Sequence, residues 1–305
     1  MLRTMAKMAN LFPSFLPASL AAALVIGTAA AQGTSTTVGE LSKRTHFHGL
    51  AVDPADSTRL LLATHHGLFT VQADGTARQV SSSTDDFMGF SPHPTDGVTL
   101  YSSGHPAGGG NLGFMVSTDG GQTWTRLSPG AKGTADFHSM TVSPADPKAI
   151  YGIYGGLQVS RDGGNSWQVV GPGAEETIDL AASARDVNQV YAGTNSGLLL
   201  SRDGGKSWER AHPSETPVPL VAVGNDGTVY AFVLGTGLVR AREPDLAWET
   251  VGRGIEPAHA LVHLAIDPKE PRRLYAVAFD LEDHGSALLT SADGGESWSE
   301  FGAKP

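Results

Sequence analysis

Cysteine is absent from all 305 residues. No disulfide framework and no thiolate chemistry is open to this chain. Basic residues are scarce, with 21 Lys+Arg against 31 Asp+Glu and a formal net charge of −10. That balance excludes the basic footprint expected of a nucleic-acid-binding protein. The sequence also lacks a basic amphipathic stretch suited to a membrane surface. Long apolar runs are missing too. The one candidate, Phe15 to Ile26, is interrupted by Pro17 and falls short of the roughly 20 residues that a membrane span needs. Arg3 and Lys7 precede that run, and Ala29-Ala30-Ala31 follows it. Positive head, apolar middle and small-residue cleavage site together predict a signal peptide over residues 1–31. The rest, 32–305, is then a single domain in the periplasm or outside the cell, with no membrane span. Without disulfides, an exported domain must rely on a large core, and this one is long enough to build it.

What is abundant is glycine, at 38 residues, as suits many short strands joined by tight turns. Much of it lies in repeats. The clear copies are Ser117-Thr118-Asp119-Gly120-Gly121-Gln122-Thr123-Trp124 and the segments Ser160 to Trp167, Ser201 to Trp208 and Ser291 to Trp298. Their first serines are 43, 41 and 90 residues apart. The last gap is two periods, and Ala241 to Trp248 fills it as a decayed copy that keeps the tryptophan. Another decayed copy, Ala73-Asp74-Gly75-Thr76, lies one period before the first clear one. Each unit also carries an apolar strand ending at an Asp-Pro-type turn (Leu50 to Pro54, Met140 to Pro144, Leu264 to Pro268) and a second strand marked by tyrosine or leucine. Four strands per period of forty to forty-five residues is the signature of a propeller blade. The sequence thus predicts an all-β fold, a six-bladed β-propeller of four-stranded blades. Thr36 to Glu40 is expected to add a strand to the last blade.

These boxes resemble the Asp-box (BNR) repeats of sialidases, sortilin-type receptors, some glucanases and photosystem assembly factors. The resemblance implies the propeller fold and is nearly silent about activity. It assigns the aspartates Asp119, Asp162, Asp203 and Asp293 and the tryptophans Trp124, Trp167, Trp208 and Trp298 to structure. The carboxylates accept hydrogen bonds from turn amides, and the indoles cover apolar surface between blades.

The chemistry is sought on the opposite face, where the links into each first strand emerge beside those joining second to third strands. Nine of the 11 histidines map there: His46, His48, His65, His66, His105, His138, His259, His263 and His284. In Thr45-His46-Phe47-His48-Gly49, two histidines lie two apart and point to one side of a strand. If Val52 pairs with Leu60, antiparallel register sets His46 opposite His66, with His48 diagonal to it. Cross-strand Cβ atoms roughly 4.5–5.5 Å apart would let the imidazoles share a metal. The expected ligands are His46, His48 and His66, with His138 as a fourth. Imidazole suits zinc or copper, and Met88 or Met140 in the shell would tilt the choice toward copper. His65, His105, His263, His284, Asp86 and Asp136 are further candidates on that face.

Two other functions fit the same fold. A glycosidase needs two carboxylates flanking the bond, and Asp85, Asp86, Asp136, Glu175, Glu176, Asp179, Glu282 and Asp283 share the face. Sialidase chemistry in particular is disfavoured. The family's Phe/Tyr-Arg-Ile-Pro segment is missing, and only Arg44, Arg210 and Arg253 are placed to stand in for its arginine triad. Alternatively, a metal-free face would bind an exported protein or a glycan. No Gly-x-Ser-x-Gly elbow supports a serine hydrolase.

Overall fold

The computed structural model describes residues 35–302. The leader read over residues 1–31 lies outside the described residues. Six antiparallel sheets of successive chain segments make up the fold. The first strands of the six blades are Phe47–Val52, Asp86–Pro92, Met140–Val142, Thr177–Ala182, Leu220–Val223 and His259–Ile266. Each adjoins the first strand of the next blade, and that of blade 6 returns to that of blade 1. The result is a closed six-bladed β-propeller, as the repeats predict. Among the described residues no helix is long and apolar enough to cross a membrane.

The Asp-boxes connect third to fourth strands, and their hydrogen bonding repeats in all four clear copies. In the first, Ser117 Oγ donates to Asp119 Oδ1 at 2.8 Å and accepts from Gly121 N at 2.9 Å. Asp119 in turn accepts from Thr123 N at 3.0 Å and Thr123 Oγ1 at 2.5 Å. Gly120 and Gly121 both adopt positive φ, 72° and 91°, which glycine alone takes without strain. In the second copy, the Ser166 hydroxyl and then its backbone N–H hold the Asp162 carboxyl down to about 2. Such a carboxylate is a locked turn element and a poor proton donor. The tryptophans seal the seams between blades. Trp167 packs against Phe137 at 4.7 Å with the rings tilted and meets Phe114 of blade 2 edge-on at 5.2 Å.

The N-terminal segment departs from expectation. Thr36–Thr37 pairs with the outer strand of blade 1, Thr76–Gln79, and adds nothing to blade 6. The next residues turn into a short helix, Val38–Ser42, capped by the Thr37 hydroxyl. Its Val38 and Leu41 are buried with Leu60 and Val71 of blade 1 and Tyr275 and Leu288 of blade 6. The segment therefore closes the ring by packing into the seam between the first and last blades. Blade 6 is already complete, because its outer edge is filled by Ser299–Glu300.

A channel of about 450 Å³ runs between the first strands, lined among others by His48, His138, Asp179 and His263. Two of these side chains tie neighbouring blades together. His263 Nε2 donates to Phe47 O at 3.1 Å across the seam between blades 6 and 1. Asp179 accepts from Val221 N of blade 5 and from Leu180 N, both at 2.9 Å.

Candidate functional site

The site is built on a segment that recurs in blades 1 to 3. His46-Phe47-His48, Asp86-Phe87-Met88 and Asp136-Phe137-His138 occupy matching positions at the entry to the first strand. The phenylalanine is buried in each, at 6, 0 and 0% exposure. Burying that ring anchors the segment and leaves its two neighbours to project at the face. A β-bulge follows in blade 1, where Phe47 pairs with Thr64 but Gly49 pairs with Ala63. His48 is the extra residue. Bulges also interrupt the first strands of blades 2, 4 and 6. Such bulges re-aim side chains at barrel and propeller rims.

The bulge decides which histidines meet. Val52 does pair with Leu60, but the extra residue shifts everything upstream by one. His65, rather than His66, therefore comes beside His46 and His48. Slips of one residue exchange the two sides of a strand, and this one turns His66 outward. His66 is exposed, and its backbone N–H donates to Thr64 Oγ1. Ring centroids of His65 lie 4.2 Å from His48 and 5.5 Å from His46.

Two donor clusters result. In the first, His48 Nε2 lies 3.1 and 3.2 Å from the two ring nitrogens of His65. Asp86 Oδ2 sits 2.6 Å from His65 Nδ1, and its Oδ1 sits 3.7 Å from His48 Nε2. In the second, Asp136 Oδ2 lies 2.9 Å from His105 Nε2 and 2.5 Å from His138 Nε2. Each cluster brings three donor atoms within 4.8 Å of one another, a set that can hold a metal ion. Two donors of a tetrahedral zinc, each about 2.0–2.1 Å from the ion, stand roughly 3.3 Å apart, close to the His48–His65 spacing. Asp86 Oδ1 and Asp136 Oδ1 are both buried without a hydrogen-bond partner. A buried carboxylate oxygen left unpaired is costly, and a cation would satisfy it.

Local electrostatics differ between the clusters. Burial pushes the His48 imidazole down to about 4; Asp86 pulls it back up, while His65, His263 and His46 add to the lowering. His48 is thus neutral at pH 7, the form that ligates metals. At His138 the hydrogen bond with Asp136 raises the imidazole, against the opposing effect of burial.

The other sequence candidates are spread out. His46 is exposed beside the first cluster, and His138 belongs to the second. His263 faces the channel, and burial lowers its imidazole to about 4, with the Phe47 carbonyl opposing. His284 is exposed, with a positive φ of 62°, and its ring lies tilted against that of Phe279 at 5.8 Å. Met88 and Met140 are buried. Of the carboxylates named for glycosidic chemistry, Asp86 and Asp136 are held by histidines and Asp179 by backbone amides. Glu175, Glu176, Glu282 and Asp283 are exposed. The pairing of His65 with Asp86 went unread in the sequence, because the only signal for it is the alignment of the three Phe-centred segments.

Comparison with known proteins bears on the fold. The BNR/Asp-box repeat model matches residues 115–126. No curated protein matches the sequence significantly. Among solved structures, a GH74 xyloglucanase from Xanthomonas campestris superposes with a TM-score of 0.57 at 20% identity, over 88% of this chain and 46% of its own. YCF48 from Cyanidioschyzon merolae superposes with a TM-score of 0.50 at 17% identity, over 88% of this chain and 87% of its own. A gluconolactonase from Xanthomonas campestris reaches 0.58 at 16% identity, over 81% of this chain and 86% of its own. This chain spans less than half the length of the GH74 enzymes, 38–46% of each. At such identities the likeness speaks for fold alone. With four Asp-boxes in place and six sheets closed into a ring, the chain is a six-bladed β-propeller that carries BNR/Asp-box repeats.

Proposed function

We propose that this propeller is an exported metal-binding protein whose histidine face holds a divalent transition ion, zinc or copper, at His48, His65 and Asp86. The observation that carries the reading is the convergence of two imidazoles and a carboxylate whose second oxygen is buried and unpaired. Two histidines and one carboxylate form a donor set used for zinc and for non-haem iron, and they leave coordination positions open. His46, with its ring 5.5 Å from that of His65, lies beside this set but outside it. The set favours divalent ions over copper(I), which prefers sulfur. An ion there would join blade 1 to blade 2, since His48 and His65 come from one and Asp86 from the other. Open positions suit either capture of the metal as cargo or polarisation of a ligand arriving at the face.

The test is metal analysis of untagged protein purified from the periplasm, beside a His48→Ala/His65→Ala variant. Near-stoichiometric zinc or copper, lost in the variant while circular dichroism keeps the strand signature, is the expected result. Wild-type protein that carries no metal and takes up neither ion from buffered solution would overturn the reading.

A further inference from the structure

We infer that the chain carries a second, separately built metal site at His105, Asp136 and His138, adjoining the first across blade 2. The two clusters share a construction. A histidine at or just beyond the end of one blade's second strand meets the aspartate that precedes the anchoring phenylalanine of the next blade. His65 meets Asp86 at 2.6 Å, and His105 meets Asp136 at 2.9 Å. Only the third donor differs. The first cluster draws His48 from the earlier blade, and the second draws His138 from the later one. In blade 2 the matching position is Met88, which supplies no imidazole.

The second cluster is rigidly supported. Ser103 Oγ accepts from Phe137 N at 2.9 Å and is itself 3.4 Å from Ala135 O. That clamp fixes Asp136 beside His105, two residues along the same strand. The Asp136 side chain is only 8% exposed, and its Oδ1 is buried and unpartnered.

The proton count then points to a cation. His105 Nδ1 lies 2.8 Å from Gly110 O. A carbonyl oxygen can only accept, so Nδ1 carries the proton, and a neutral His105 presents its Nε2 lone pair to Asp136. Donating one ring nitrogen to a carbonyl is how proteins fix a histidine for metal ligation. Asp136 Oδ2 faces His138 Nε2 as well, at 2.5 Å. A neutral His138 can donate its Nε2–H there, but His105 cannot, so two acceptors face each other at 2.9 Å unless His105 takes an additional proton or one divalent ion supplies the positive charge. An ion held by both carboxylate oxygens would also satisfy the orphaned Oδ1, which a proton on His105 would leave bare.

The two sites are neighbours. Asp86 of the first is the direct cross-strand partner of His105 of the second, and such partners have Cβ atoms about 4.5–5.5 Å apart. The face would then present two ions side by side, each with open coordination positions.

Zinc(II) and cobalt(II) titrations of the mature chain, read by native mass spectrometry and by cobalt absorption, test this. The wild type is expected to take up two ions. His105→Ala/His138→Ala and His48→Ala/His65→Ala should each retain one, and the combined variant none. His138→Ala alone, whose ring is 65% exposed, keeps the test valid if the double variant misfolds; it should weaken one of the two binding events at least tenfold. One ion in the wild type, lost on replacing His48 and His65 and untouched by the other pair, would overturn the second site and leave the first standing. One ion lost only with His105 and His138 would uphold this inference and overturn the proposed site at His48. No uptake at all would remove both.

Discussion

His65 Nδ1 lies 2.6 Å from Asp86 Oδ2, across the seam between blades 1 and 2. The contact exists because a one-residue bulge at His48 displaces His66 and brings His65 onto the ligand side. Carboxylate and imidazole hold each other at this seam, and the free edge of His65 is left to His48.

Single alanine variants separate the adjacent histidines. His65→Ala should lower zinc affinity at the first site by more than the ~10–100-fold typical of losing a supporting contact. His66→Ala should leave it within about twofold, because that ring is exposed and outside both clusters. Competition titration against a zinc-binding dye measures both. Equal losses in the two variants would mean that the strand register at the face is wrong.

The fold was legible in the sequence because Asp-box chemistry is local. Ser117, Asp119, Gly121 and Thr123 satisfy one another within a single turn, so their spacing survives as a readable word. The face was legible only in part. Strand alternation placed nine histidines on it, but pairing His48 with His65 depends on a bulge, and no residue type announces one. Asp86 and Asp136 were visible as candidates on that face, but not as the partners of particular histidines. Their role needs contacts between blades, which periodicity within one blade does not encode. The strand expected of Thr36 to Glu40 for the last blade failed for a related reason. Only Thr36 and Thr37 are extended, and the apolar Val38 and Leu41 are better buried as a helix in the seam.

The box tryptophans are not equivalent, and substitution should reveal it. Trp167 Nε1 donates to Ser128 Oγ at 2.9 Å and Gly164 O at 3.2 Å, whereas Trp208 Nε1 is buried with no partner. Trp167→Phe loses both bonds and should cost about 1–3 kcal/mol. Trp208→Phe removes an unsatisfied donor and should be near neutral or stabilising. Urea unfolding of the two variants provides the comparison, and a reversed order would refute it.

Asp179 should give stability a measurable pH dependence. Burial pushes its carboxyl up to about 7, although the N–H groups of Val221 and Leu180 pull it back. A carboxyl raised in the folded state stabilises fully below its ordinary value of 3.8 and loses that contribution as pH rises through about 7. His263 works in the opposite direction. Lowered from 6.5 to about 4, it contributes above 6.5 and loses that contribution as pH falls toward 4. Comparing wild type with Asp179→Asn isolates the carboxyl, since the histidine is common to both. The wild type should lose stability relative to the variant between pH 5 and 8, and the carboxyl carbon should titrate near 7 by NMR. A difference that stays flat across this range would show that Asp179 is ionised throughout.

The last prediction joins packing to the second cluster. Gly152, on the second strand of blade 3, leaves room for the ring of Phe137, and a Cβ built there would lie 2.6 Å from Phe137 Cδ1 and 2.9 Å from Cγ. Phe137 is fully buried, so its ring has nowhere to retreat without dragging its backbone. The residues on either side of it are Asp136 and His138. Gly152→Ala should therefore destabilise the domain by about 1–3 kcal/mol through overpacking. It should also displace the two donors, weakening cobalt binding at the second site while the first, anchored by Phe47 and Phe87, keeps its affinity. Thermal unfolding and the two-step cobalt titration read the two effects on one sample. A variant that is destabilised but still binds both ions as tightly as wild type would show that Phe137 anchors the core without positioning Asp136 and His138.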